Sequence, residues 1–304
     1  GDDDVEGGAD ATTDPLEQVG VRAVSVPVRT RGDWGVTNRE WHNWSYDPTA
    51  QLKRAHQHVG LKNQGCTCYM NSFLQQLVQT PSFLRGLMAV PDCAEDQAES
   101  VLFQLQKLAG FLKVSQKQYY DTLPFCMAFK DYDGQPVRLS EQKDVNEFAN
   151  MLFDKLEAEH PAMRSLLQGT YVGTLVNQIL SLESDHVSER LEPFYMLSVT
   201  VQGKATLEES LELFVAGETL SGDNKVMDPK LGRKADALKR ACIGELPNHL
   251  IVHLKRFEFD FESMTKRKVN DHFEFPHMLD MEPYTKEGIA RRDMVARLRA
   301  GSEA

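Results

Sequence analysis

The chain has 304 residues, 41% hydrophobic and 26% charged, enough to build one large domain or two modest ones around a sizeable core. Its 34 basic and 45 acidic side chains leave a net charge of −11, the wrong sign for the basic face that nucleic-acid binding requires. No apolar run approaches the ~20 residues that cross a bilayer, so neither nucleic acid nor membrane is an expected partner.

The opening GDDDVEGGAD is acidic where a secretory signal is basic and then apolar. The five cysteines are irregularly spaced and odd in number, which fits a reducing setting better than a disulfide framework. A cytoplasmic location is expected, with a nuclear pool equally compatible. Residues 1–19 hold seven acids and no Lys or Arg, and read as a disordered acidic leader. Without them the balance is 34 basic to 38 acidic, or −4, so the body of the chain is only mildly acidic. Residues 20–57 form an N-terminal extension with a β-favouring stretch over 21–28. Its aromatic cluster of Trp34, Trp41, Trp44 and Tyr46 is expected to pack on the domain that follows.

Strong patterning begins at Val59. Phe73, Leu74, Leu77 and Val78 share one face of a helix over 70–79, and Pro81 interrupts it before a short piece carrying Phe83, Leu84 and Leu87. Further helices are predicted over 99–114 and 143–159, the second with a stripe of Val145, Phe148, Leu152, Phe153 and Leu156. After about 170 the character changes. Gly169, Gly173 and Val176 flank a predicted strand, and 194–201 (FYMLSVTV) is rich in β-formers. A short helix over 206–214 precedes two more predicted strands, 246–259 (LPNHLIVHLKRFEF) and 272–276 (HFEFP). The end reads as a short amphipathic helix or a frayed tail over 287–304. Helices first and strands second predict an α+β fold.

The segment VGLKNQGCTCYMNSFLQQL, residues 59–77, is where chemistry is most legible. A Gly-containing loop delivers a cysteine to the first turn of an amphipathic helix, where unpaired amides and the helix dipole favour a thiolate. That is the nucleophile a cysteine hydrolase needs. Asn63 lies in the same loop and could donate its amide to an oxyanion. Periodicity alone does not choose between Cys66 and Cys68, and both also read as ordinary small buried residues.

GLKNQGCTCYMNSFLQQL resembles the cysteine box of ubiquitin-specific proteases, and the resemblance continues at EQKDVNEF (141–148), LPNHLIVHLKRFEFD, VNDHFEFP and LDMEPYT. The wording FPHMLDMEPYT is most similar to the very large fat-facets-type members. The resemblance implies a papain-like hand, with a helical thumb over 58–168 and β-rich fingers and palm over 169–286. It implies a deubiquitinating thiol hydrolase acting after the C-terminal glycine of ubiquitin, with ubiquitin and ubiquitinated proteins as partners and no cofactor. Cys68 then becomes the nucleophile, Cys66 a loop residue and Asn63 the oxyanion-hole residue. Gln142 and Asp144 become substrate-binding residues at the tail groove or the thumb–palm junction. Asp144 also reads as an ordinary acid at a helix start.

Two departures stand out. Where the family often has two Cys-x-x-Cys pairs around one finger zinc, this chain has Ser181 and Ser184, placed by alignment on His186, and Asp228 and Leu231. Leucine cannot ligate a metal and serine is a poor zinc ligand, so a metal-free tip held by packing and strand pairing alone is expected. None of the nine histidines is followed by Tyr as in the family's histidine box. The C-terminal part of the palm, with the general base and its partner, is therefore expected beyond Ala304. A catalytically inactive ubiquitin-binding pseudoenzyme or scaffold is the alternative.

Overall fold

The computed structural model describes residues 51–91, 95–260 and 264–302. The acidic leader, the cluster of Trp34, Trp41, Trp44 and Tyr46, and Cys93 lie outside the described residues. The first part is helical. A short strand β1 (Gly60–Leu61) leads to α1 (Cys68–Gln79) and α2 (Pro81–Ala89), then α3 (Val101–Val114) and β2 (Tyr119–Tyr120). Three helices complete it: α4 (Leu123–Ala128), α5 (Val145–Glu159) and α6 (Pro161–Tyr171).

The apolar stripes of the sequence face one shared core. Met70, Phe73, Leu74 and Leu77 of α1 meet Phe148, Leu152, Phe153 and Leu156 of α5 there, with Leu105 and Leu108 of α3. Helix ends are satisfied locally. Ser100 caps α3 by accepting from the Phe103 amide, and Glu159 accepts from the Val101 and Leu102 amides at 2.9 and 2.8 Å. Thus the C-terminal residue of α5 closes the N-terminus of α3 and fixes the two helices relative to each other.

Two helices were not predicted. α4 is only six residues long, too short for a period to register. α6 (Pro161–Tyr171) takes in Gly169, which reads in the sequence as flanking a strand. Pro161 starts it, His160 Nδ1 caps it by accepting from the Ala162 amide at 3.1 Å, and Met163, Leu167, Thr170 and Tyr171 line its buried face. The strand starts only at Gly173, after this helix ends.

The second part is built on strands. β3 (Gly173–Ser181) and β4 (Val187–Phe194) form a hairpin, followed by β5 (Met196–Thr200) and α7 (Leu207–Val215). Next come β6 (Glu218–Leu220), the small hairpin of β7 (Val226–Asp228) and β8 (Arg233–Ala235), and the long β9 (Ala237–Glu245). β10 (Ile251–Lys255), β11 (Phe257–Asp260), β12 (Thr265–Lys268) and α8 (Lys286–Ser302) follow. The main sheet has strand order β4-β3-β9-β6, all antiparallel, with β4 exposed along nearly its whole length as an edge. A second core joins Val176, Cys242 and Ile243 of this sheet to Leu207, Leu211 and Val215 of α7 and to Ile289 of α8.

Tertiary pairing cuts the predicted strands. Residues 194–201 divide at Tyr195, because β4 belongs to the main sheet whereas β5 pairs in parallel with β10, Met196 opposite Ile251. The Tyr195 hydroxyl donates to Glu157 of α5 at this corner. Residues 246–259 divide at Arg256, whose guanidinium donates to the Val269 and Asp271 carbonyls. Residues 272–276 are not a strand: a single bridge at Glu274 clasps the start of α7.

Candidate active site

The loop 62–67 is held from below by residues far along the chain. β1 and β2 pair in parallel, the Gly60 amide donating to Gln118 O at 2.6 Å and the Lys62 amide to Tyr120 O at 2.9 Å. Asp121 then takes two side chains of the loop, Lys62 Nζ at 3.1 Å and Gln64 Nε2 at 2.6 Å. On its other side the Cys66 amide donates to Leu139 O at 2.7 Å. This close approach needs glycine at 65: its φ is +129°, and a Cβ there would sit 2.6 Å from the same carbonyl oxygen.

Within the loop, Asn63 Oδ1 accepts three hydrogen bonds, from the Gly65 amide (3.2 Å), the Thr67 amide (3.1 Å) and the Thr67 hydroxyl (3.0 Å). Thr67 Oγ1 in turn accepts from the Gln64 amide at 3.0 Å. Oδ1 is thereby committed to the loop, and the Asn63 side-chain NH2 makes no hydrogen bond among the described residues. Thr67 is buried and immediately precedes Cys68, the first residue of α1. Cys68 is exposed, Cys66 is half-buried, and no acid lies in the first turn of α1. The structure therefore separates the two cysteines that periodicity left equal.

α1 also supplies its own braces: Asn71 Nδ2 donates to Lys62 O at 3.3 Å and Gln75 Nε2 to Val59 O at 3.0 Å. Beside Cys68, the buried Tyr69 packs edge-on against Phe148 at 5.6 Å. Its phenol is pushed up to about 12, by burial first and then by Cys126, Glu147 and Cys68, so it stays neutral at ordinary pH. Thr67, Asp121, Asn71 and Gln75 are site residues that sequence reasoning did not single out. Only the spacing of Thr67 from Asn63 was a local signal; the partner of Asp121 is almost sixty residues away.

Asp144 is the N-cap of α5, accepting from the Asn146 amide at 2.7 Å and the Glu147 amide at 3.3 Å. Gln142 is exposed just before it. Across from this helix start lies β10, where His253 Nδ1 is 3.1 Å from Ser198 Oγ of β5. Burial pushes the His253 imidazolium down, against the pull of the nearby Asp144 carboxylate, so it is neutral at pH 7. His249 precedes β10: its amide donates to Thr170 O and its ring packs on Tyr171. No histidine among the described residues is hydrogen-bonded to Cys68.

The four finger positions converge although their chemistry does not suit zinc. Ser184 Oγ donates to Asp228 Oδ2 at 2.6 Å, Leu231 donates its amide to Oδ1 at 3.3 Å, and Ser181 Oγ accepts from the Ser184 amide at 3.2 Å. Leu231 has no side-chain donor atom, the serine hydroxyls are poor zinc ligands, and Asp228 is already engaged by Ser184 and two backbone amides, so the residues do not fit the metal. No group of three His, Cys, Asp or Glu among the described residues could hold an ion. The expectation of packing and strand pairing alone is corrected here, because a polar knot adds to both.

Comparison with known proteins places this geometry. The family described as "Ubiquitin carboxyl-terminal hydrolase" matches residues 59–296. Ubiquitin carboxyl-terminal hydrolase 24 of Mus musculus is 37% identical over 252 residues, 82% of this chain and 10% of its own length. Ubiquitin carboxyl-terminal hydrolase 34 of Homo sapiens is 35% identical over 246 residues, 81% of this chain and 7% of its own. Ubiquitin carboxyl-terminal hydrolase 9X of Mus musculus is 35% identical and covers 82% of this chain and 11% of its own length. These are very large members of the fat-facets type, and the chain spans about a tenth or less of each. In fold the chain matches a chain of "the SAGA Ubp8/Sgf11/Sus1/Sgf73 DUB module bound to ubiquitin aldehyde" with a TM-score of 0.66 and 24% identity, covering 75% of this chain and 53% of that one.

Proposed function

The chain belongs to the ubiquitin carboxyl-terminal hydrolase family, and from that premise we propose that it is a deubiquitinating thiol hydrolase acting on the bond after ubiquitin's C-terminal glycine. In this reading the helical part is the thumb of a papain-like hand. The β5–β10 pair belongs to the palm, the β4-β3-β9-β6 sheet to the fingers, and ubiquitin and its conjugates are the partners. Gln142 and Asp144 flank the groove that takes the ubiquitin tail. The cytoplasm, with a nuclear pool, is the proposed compartment.

One observation carries the reading: Asn63 spends its carbonyl oxygen on the Gly65 and Thr67 groups while Cys68 stands exposed at the start of α1. The Cys68 sulfur attacks the scissile carbonyl carbon, and the electron pair moves to the carbonyl oxygen. The free Asn63 NH2 donates to that oxyanion, and the helix N-terminus favours the same negative charge. Collapse of the tetrahedral intermediate breaks the C–N bond, the amine leaves carrying the proton taken from the thiol, and the ubiquitin thioester left on Cys68 is then hydrolysed by water to restore the thiol. Deprotonation of the thiol needs a base within hydrogen-bond reach, so the test reads modification of the sulfur rather than turnover.

The experiment is intact mass spectrometry of the chain after incubation with ubiquitin bearing a thiol-reactive C-terminal electrophile, with Cys68→Ala as control. A one-ubiquitin adduct that vanishes in the variant is the expected result. A chain that still binds ubiquitin but stays unmodified even when a longer chain supplies the general base would overturn the enzyme reading in favour of a non-catalytic ubiquitin-binding scaffold.

A further inference from the structure

The tips of two hairpins carry the same hydrogen-bond pattern. In the β3–β4 turn, Ser181 Oγ accepts from the amides two and three residues on, Glu183 at 3.3 Å and Ser184 at 3.2 Å. In the β7–β8 turn, Asp228 Oδ1 accepts from the amides two and three residues on, Lys230 at 2.8 Å and Leu231 at 3.3 Å. The first side chain of each turn thus gathers its own backbone amides, as the first ligand of a metal-binding knuckle does. The two turns then meet: Asp228 Oδ2 receives the Ser184 hydroxyl at 2.6 Å, and Ser184 is itself held by its amide bond to Ser181 Oγ. Asp228 is only 2% exposed, so these bonds are made away from solvent, where a carboxylate needs all of its partners.

We propose that the Asp228 carboxylate, bonded by the Ser184 hydroxyl, ties the two finger turns together in the place of a zinc ion, making the tip a metal-independent and thiol-free clasp. Leu231 occupies the fourth position and contributes only its amide. The surface ion pairs around the clasp, Lys230 with Asp185 at 2.7 Å and Arg233 with Glu183 at 2.7 Å, are solvated and add little. The Ser181 and Ser184 hydroxyls and the two amides hold the Asp228 carboxyl well below the usual carboxylate range, against its desolvation. A depressed carboxyl contributes its stability above its unfolded value near 3.9 and loses it only as pH falls further. The clasp is therefore constant between pH 5 and 8, whereas thiolate sites release metal as their ligands protonate.

Three variants test this. Asp228→Asn keeps an acceptor for the Lys230 and Leu231 amides but replaces the oxygen that binds Ser184 with a donor. It should lower Tm by about 5 °C and speed hydrogen exchange at least tenfold in residues 181–186 and 226–235, with Lys230→Met as a control that changes neither. Ser181→Cys, Ser184→Cys, Asp228→Cys and Leu231→Cys combined should bind one zinc per chain and gain an EDTA-sensitive Tm. The wild type should be indifferent to EDTA. Stoichiometric zinc in the wild type, unchanged exchange in Asp228→Asn, or a folded four-cysteine variant that takes up no zinc would each overturn the proposal.

Discussion

Asn63 Oδ1 is bonded to both the amide and the hydroxyl of Thr67, at 3.1 and 3.0 Å, so the side chain proposed to stabilise the transition state also shapes the turn that presents Cys68. The two roles use opposite ends of one amide. Asn63→Asp preserves the oxygen that accepts from Gly65 and Thr67 and removes the NH2. It should leave the fold intact and, where the general base is present to allow turnover, lower kcat on a ubiquitin C-terminal fluorogenic amide by about 10²–10³-fold, the usual loss of one oxyanion donor. Steady-state kinetics beside a thermal melt separates the two roles; full activity in a stable Asn63→Asp chain would remove Asn63 from the oxyanion hole.

Phe148 joins the site to the helical core. Its ring lies 5.6 Å from Tyr69, 6.1 Å from Phe73 and 5.0 Å from Phe129, and it is 2% exposed. Phe148→Ala should cost about 3–5 kcal/mol in chemical denaturation, through lost burial and the cavity left behind. Because the cavity opens beside the first turn of α1, Cys68 should also react more slowly with the ubiquitin electrophile at temperatures where the chain is still folded.

At Asp144 the structural and substrate roles can be pulled apart. Asp144→Ala loses the cap on α5 and should destabilise by about 1 kcal/mol. Asp144→Ser can still accept from the Asn146 and Glu147 amides, so stability should be nearly wild type. If the carboxylate also holds the ubiquitin tail, the Ser variant will bind ubiquitin several-fold more weakly in calorimetry. Equal affinity would confine Asp144 to capping.

The brace under the loop is acid-labile. Burial raises the Asp121 carboxyl, but the Leu123 amide, Lys62 and Gln64 outweigh it, and the net shift is downward. With the folded value below the unfolded one, the stabilisation is present above about pH 4 and lost as pH falls through the folded value. Asp121→Asn should therefore have a lower Tm than wild type at pH 6, with a gap that holds down to about pH 4 and narrows from there towards pH 3. A constant gap across that range would mean the charge contributes nothing to the brace.

The exposure of Cys68 and not Cys66 came from the fold, whereas the amphipathic stripes of α1, α3 and α5 and the glycine loop that leads a cysteine to a helix start are local consequences of sequence. Each depends on periods or turns spanning a few residues, so they are legible without a fold. The α+β order is legible for the same reason. Where strands end, however, is a matter of partners. Tyr195 and Arg256 break predicted strands because the residues on either side pair with different sheets, and 272–276 lost its strand to a clasp on α7. α6 overrode Gly169 because burying Met163, Leu167 and Tyr171 against the helical core outweighs the helix cost of one glycine. The sequence named the four finger positions, but only the fold brought Ser184 to Asp228 and let a carboxylate link the turns. Hydrogen bonds between distant residues have no period and no motif, since they exist only once long-range pairing has brought their ends together.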